Sequence, residues 1–250
     1  MTPLHALAIF GAGVAAGTIN TVVGSGTLIT FPVLLGFGYA PVTANVSNTI
    51  GLVPGSVSGA IGYRRELRGQ GRRTIPLAAA SAAGGIVGAT LLLTLPASAF
   101  KEIVPVFIAI ALVLIVLQPR LSRALAHLRR PAHAHAGPLA TLGVFASGIY
   151  GGYFGAAQGI LLLSILGLAL DDDLQRINAL KVVLAGLVNA VAAVVFAFVA
   201  HVAWGAALLI AIGSTIGGVI GARAGRRLPA GALRAVIVIV GAVAIVRLVG

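Results

Sequence analysis

One ammonium and a set of carboxamides and hydroxyls stand inside otherwise apolar sequence, with no carboxylate among them. In the first half of the chain they are Asn20, Thr21, Ser25, Thr27, Asn45, Ser47 and Asn48. In the second half they are Gln158, Asn178, Lys181 and Asn189. Such a set suits the holding of an anion. Lys supplies a compact positive charge, while amides and hydroxyls orient the ligand. Each group would cost free energy against lipid unless it met a partner or water. Lys181 admits two readings, a fixed charge for an anion or a side chain snorkelling to the membrane surface.

Catalysis finds little support. The five acidic residues are Glu66, Glu102 and Asp171–Asp173, all in loops or at segment ends. None suits a proton relay within the membrane. Asp171–Asp173 read as a helix-capping loop ahead of Arg176, with an ion pair to Arg176 as the alternative. His133-x-His135 lacks further ligands for a metal, and cysteine is absent. No phosphate-binding loop, nucleophile elbow or zinc-protease motif occurs. The reading is no enzyme, no metal and no cofactor.

Long apolar runs must position these groups. The 250 residues are 59% hydrophobic and 9% charged. Runs of this kind read as membrane helices. Five segments per half are expected, near 4–24, 26–40, 45–63, 75–95 and 102–118, then 138–155, 158–170, 178–200, 203–222 and 230–249. A basic linker over 119–137 joins residues 1–118 to residues 138–250. The pairs within 4–40 and 138–170 are short for two crossings each, so short or re-entrant helices are expected there. Either three crossings or one would satisfy the parity of segments six to eight.

The halves are related. Residues 81–89 read SAAGGIVGA, and 133 positions later residues 214–222 read STIGGVIGA. The same offset pairs Asn45 with Asn178 and Asn48 with Lys181. Flanking charge reverses between the copies. Arg64, Arg65, Arg68, Arg72 and Arg73 precede the first, whereas Arg223, Arg226, Arg227 and Arg234 follow the second. Cytoplasmic loops collect Lys and Arg, so equivalent helices should cross in opposite senses, as in the inverted repeats of secondary transporters. This places 64–74, 119–137 and 223–228 in the cytoplasm and both termini outside. Of the 17 Lys and Arg, all but Lys101 and Arg247 then fall at cytoplasmic positions. The net charge of +12 is an orientation signal, not a nucleic-acid footprint.

Ile19-Asn20-Thr21, Gly24-Ser25-Gly26-Thr27-Leu28, Pro32, Ala44-Asn45 and Asn48 together resemble the first signature of the TauE/SafE family of membrane anion exporters. Tyr150-Gly151-Gly152, Phe154-Gly155-Ala156, Gln158-Gly159 and Asn178-Ala179-Leu180-Lys181 form the second-half counterpart. The resemblance covers nearly the whole chain. It implies outward transport of sulfite, a sulfonate or another small organosulfur anion across the inner membrane. The expectation is therefore an all-α polytopic membrane protein of two inverted repeats. Its candidate substrate-binding residues are Asn20, Thr21, Ser25, Thr27, Asn45, Asn48, Gln158, Asn178 and Lys181. Expected partners are a small anion and the lipid bilayer, with no nucleic acid, and the sequence is compatible with a homo-oligomer. An anion channel and a non-transport assembly protein are the alternatives.

Overall fold

A computed structural model describes residues 1–127, 137–224, 235, 237–242 and 245. Every regular element among them is a helix. In order these are α1 (Pro3–Val22), α2 (Thr27–Gly36), α3 (Pro41–Gly62), α4 (Gly71–Thr94), α5 (Ala97–His127), α6 (Pro138–Tyr153), α7 (Gln158–Ala169), α8 (Leu174–Val199) and α9 (Trp204–Ala224). Residues 237–242 are helical too. The rest of the final segment and residues 128–136, with His133 and His135, lie outside the described residues.

Local chemistry sets the helix starts. Pro3, Pro41 and Pro138 open α1, α3 and α6, where their missing N–H is no loss. Asp173 caps α8 by accepting from the Gln175 N–H at 2.8 Å. These signals start α3 and α8 about one turn earlier than the expected 45 and 178. Asn45 and Asn178 therefore occupy the second turn, and Lys181 lies deeper still. A second difference concerns the expected linker. α5 continues through Pro119 to His127, so the linker's first residues are helical.

α1, α4, residues 97–120 of α5, α8 and α9 are long and apolar enough to cross a membrane. α2 has 10 residues and α7 has 12. At about 1.5 Å per residue neither spans a core about 30 Å thick. Large apolar side chains such as Phe198 and Leu139 face outward, as lipid contact requires.

Packing registers give the helix directions. A Cβ on Gly213, Gly217 or Gly221 would lie 2.4, 2.1 or 2.8 Å from the carbonyl oxygen of Phe10, Val14 or Thr18, so α1 and α9 run parallel. Gly84 and Gly88 abut the Phe145 and Ile149 carbonyls at 2.2 and 2.1 Å, so α4 and α6 also run parallel. Gly51, Gly55 and Gly62 meet Ala207, Ser214 and Ala222, which aligns α3 with α9. Ser81 and Gly85 meet Leu184 and Val188, which aligns α4 with α8. Between the two sets the order reverses. Ser56 meets Gly186, and Gly59 meets Val182, so α3 and α8 are antiparallel. Helices α1, α3 and α9 thus oppose α4, α6 and α8. Each half of the chain contributes to both sets, so neither half packs as a separate bundle.

Apolar burial does not drive association inside lipid, so small residues that admit close backbone contact must carry it. Gly84→Ala or Gly217→Ala would drive a methyl into a backbone carbonyl that cannot rotate away. We expect each to destabilise the folded protein by about 1–3 kcal/mol. Gly11 has open space around its Cβ position, and Gly11→Ala should raise stability by up to about 1 kcal/mol. Thermal unfolding in detergent checks this; equal midpoints for all three variants would contradict the packing.

Candidate functional site

The site is built around the end of a helix. Helix α1 stops because Gly24 takes a φ of 87° and turns the chain. The last carbonyls of a helix lack internal partners and carry its negative dipole end. Here they are met from the opposite half. Lys181 Nζ lies 3.2 Å from both the Asn20 and the Thr21 carbonyl oxygens. The Asn178 amide donates to the same Thr21 carbonyl at 3.3 Å. Lys181 has 0% exposure. It does not snorkel to the surface; its charge is held by a helix C-terminus.

Two glycines make room for this arrangement. The Gly159 N–H donates to the Gly24 carbonyl at 3.1 Å, tying the start of α7 to the α1–α2 turn. A Cβ on Gly159 would lie 2.4 Å from Gly24 Cα and 2.9 Å from Lys181 Cδ. Ala157, two residues earlier, holds a left-handed φ of 60°, the sole non-glycine to do so among the described residues. Such strain costs of order 1–3 kcal/mol and gathers at functional sites.

The same device recurs at α6. Gly155, with φ 74°, ends that helix much as Gly24 ends α1. The Asn45 amide donates to the Tyr153 carbonyl at 2.9 Å. Asn45 and Asn178 are thus equivalent caps, each on the helix of the other half. Symmetry breaks one turn later. Asn48, the counterpart of Lys181, accepts from the Thr30 hydroxyl and donates to Thr27 Oγ1 at 3.2 Å. Helix α6 receives no ammonium in this way.

Asn20, Thr21, Asn178 and Lys181 therefore come together. Ser25 and Gln158 each adjoin one of the bonded glycines, Gly24 and Gly159. Asn48 and Thr27 form a separate hydroxyl–amide group with Thr30, and Asn45 sits at the end of α6. The sequence reading did not include Ser56 or Thr30. Ser56 receives the Asn20 amide at 3.4 Å. The spacing 45, 48, 52, 56 along one face of α3 was the available signal.

Several buried polar atoms have no hydrogen-bond partner among the described residues, including Ser25 Oγ, Gln158 Nε2, Asn45 Oδ1 and Asn178 Oδ1. Lys181 uses two of its three donors. Unpaired buried polar groups cost a few kcal/mol each, and ligands commonly satisfy them. Ser25, Gln158 and Lys181 hold spare donors, which is anion-binding chemistry.

The profile of the family described as "Sulfite exporter TauE/SafE" matches residues 9–248. The chain belongs to this family. The "Probable membrane transporter protein ORF9" of a Sinorhizobium species is 31% identical over 247 residues, covering 98% of this chain and 92% of the relative. The "Probable membrane transporter protein YfcA" of Escherichia coli K12 is 25% identical over 248 residues, covering 97% and 89%. No solved structure matches. Like the family, the chain is a multi-pass membrane transporter.

A polar latch joins the loops at one end of the site. Asp172 in the α7–α8 loop pairs with Arg73 at the start of α4, and with Arg176 at 2.9 Å. The Arg176 guanidinium also reaches the Arg68 carbonyl at 3.3 Å, and Gln70 Nε2 donates to the Arg176 carbonyl at 3.1 Å. The ion pair to Arg176 thus comes from Asp172, while Asp173 caps the helix. Burial works against the Asp172 charge, yet hydrogen bonds from the two arginines hold its carboxyl below the ordinary carboxylate range.

A carboxyl with a lowered folded pKa stabilises fully above its unfolded value, about 3.9. That contribution is lost as pH falls through the folded value. We expect the thermal midpoint to fall as the pH drops below about 4. Asp172→Asn should cost about 1–3 kcal/mol at neutral pH and flatten the acid slope. Superimposable pH–stability curves for the two proteins would refute the latch.

Proposed function

We propose that the protein exports a small anion, namely sulfite, a sulfonate or a related organosulfur anion, from the cytoplasm across the inner membrane. The transport unit is two inverted repeats, residues 1–118 and 138–250, joined by the basic linker 119–137. The observation that carries this reading is the fully buried Lys181, with a spare donor, at the junction of α1, α7 and α8. The name of the matching family supports the sulfur-containing substrate class.

The proposed binding step is an exchange of partners. Without anion, the carbonyl end of α1 compensates the ammonium. An arriving oxyanion takes up the spare donor of Lys181, the Ser25 hydroxyl and the Gln158 amide. A pyramidal oxyanion carries three oxygens, one for each of these donors. The full anionic charge outcompetes a partial helix-end charge for Lys181. This loosens the contact between α8 and α1, which belong to opposed helix sets. Alternating access would follow from those sets rocking against each other. The burial of Thr21, Ser25, Gln158 and Lys181 favours this over a continuously open channel.

No acidic residue falls inside a crossing helix near the site, so the driving force is the membrane potential. One elementary charge moved through 100 mV gains about 2.3 kcal/mol, enough for a concentration ratio of roughly fiftyfold.

Reconstituted protein with voltage clamped by potassium and valinomycin tests the proposal. Sulfite or sulfonate flux toward the positive side should follow the voltage and persist when the pH gradient is collapsed. Lys181→Ala should cut flux by about tenfold or more, while Lys181→Arg restores it in part because the planar fork needs different space. Flux that tracked the pH gradient at constant voltage would count against this energetics. Undiminished flux in Lys181→Ala would reject the site.

A further inference from the structure

A cavity of about 550 Å³ opens between the C-terminal ends of α3 and α9, away from the Lys181 site. Ligand cavities typically measure about 300–1,000 Å³. The rim carries Arg64 and Arg65, just past α3, and Arg223 at the end of α9, with Glu66 beside them. Ile61, Val219 and Ala222 provide an apolar wall. The base is tight, since a Cβ on Gly62 would lie 2.2 Å from Ala222 Cβ. Ile61 and nearby Ile220 are exposed, so the apolar wall continues onto the outer surface of the bundle.

Arginines at helix C-termini can simply neutralise the terminal carbonyls. Arg64 does so, donating to the Ile61 carbonyl at 3.3 Å. Arg65 and Arg223 do not follow it. Neither guanidinium makes a hydrogen bond or ion pair among the described residues. Two uncommitted planar forks over a walled cavity match the geometry of an oxyanion, which they can grip through paired N–H donors. Three guanidiniums face one carboxylate, so the cavity keeps a net positive charge.

We propose that this cavity is a second oxyanion site, for a phosphate- or sulfonate-type head, gripped by Arg65 and Arg223. An anionic lipid headgroup can supply that chemistry with its first acyl carbons on the Ile61–Val219 wall, and a free oxyanion can supply it from solution. The site is separate from Lys181. Tyr63, Ala179 and Val182, with Ala60 and Ala222 against them, form an apolar cluster. It intervenes between the cavity wall and the stretch of α8 that carries Asn178 and Lys181. The proposal stands on the cavity and does not require the transport reading.

The test uses the full-length protein, delipidated in an uncharged detergent, with two probes. Radiolabelled inorganic sulfate is measured by equilibrium dialysis. Phosphatidylglycerol against phosphatidylcholine is measured by native mass spectrometry. Wild type should retain at least one probe, and Arg65→Gln/Arg223→Gln should weaken it about tenfold or more. Lys101→Gln, a charge loss at an exposed residue on the second turn of α5, should leave it unchanged. Arg65→Lys/Arg223→Lys keeps the charge and guards against misfolding; it should bind more weakly than wild type and more tightly than the Gln pair. Loss in the lipid arm alone identifies a headgroup site, and loss in the sulfate arm identifies a free-oxyanion site. Wild type binding neither probe, or the Gln pair binding both as wild type does, overturns the proposal.

Discussion

The arrangement of this protein turns on one contact, the Lys181 ammonium against the carbonyl end of α1. A full charge within a membrane is expensive and persists only with compensation. Most proteins would supply a carboxylate. Here the compensation is the partial negative charge of a helix terminus, with Asn178 sharing the same carbonyl. A partial charge holds a lysine more weakly than a carboxylate would. The lysine is thus stabilised enough to be buried and remains open to a stronger anionic partner.

That contact makes demands elsewhere. The end of α1 must be presented to α8, which runs in the opposing set of helices. Gly24 must turn the chain where the carbonyls become available, and Gly159 must leave its side-chain space to the lysine stem. Above these, backbone-to-backbone contacts at Gly84, Gly88, Gly213 and Gly217 fix α6 on α4 and α1 on α9. Because each of these pairs joins the two halves, movement of one helix set against the other shifts equivalent helix ends together. Asn45 repeats the cap at α6, but Asn48 stands where Lys181 stands. Near-symmetric packing therefore carries an asymmetric charge.

Much of this was legible in the sequence, for identifiable reasons. Apolar runs located the helices because lipid demands them, and glycine spacing located the close contacts. The polar residues stood out because membrane helices carry few. Lys181 lies deeper than the apolar pattern alone suggests because the Asp173 cap starts α8 a turn before residue 178. The grouping of Asn48 with Lys181 came from their equivalence in the repeat. Equivalence fixes a position on a helix but not the neighbour it meets, and Asn48 meets Thr27 and Thr30 in its own half. The spare donors at Ser25 and Gln158 emerge only when the bond between Gly24 and Gly159 is seen.

The most direct measurement is an electron cryo-microscopy map of the protein bound to selenite, a heavier analogue of sulfite. Partner exchange at Lys181 predicts density for the anion within hydrogen-bond reach of Lys181 Nζ, Ser25 Oγ and Gln158 Nε2. It also predicts that Lys181 has drawn away from the Asn20 and Thr21 carbonyls. Anion density elsewhere, with Lys181 still bonded to both carbonyls, would contradict it.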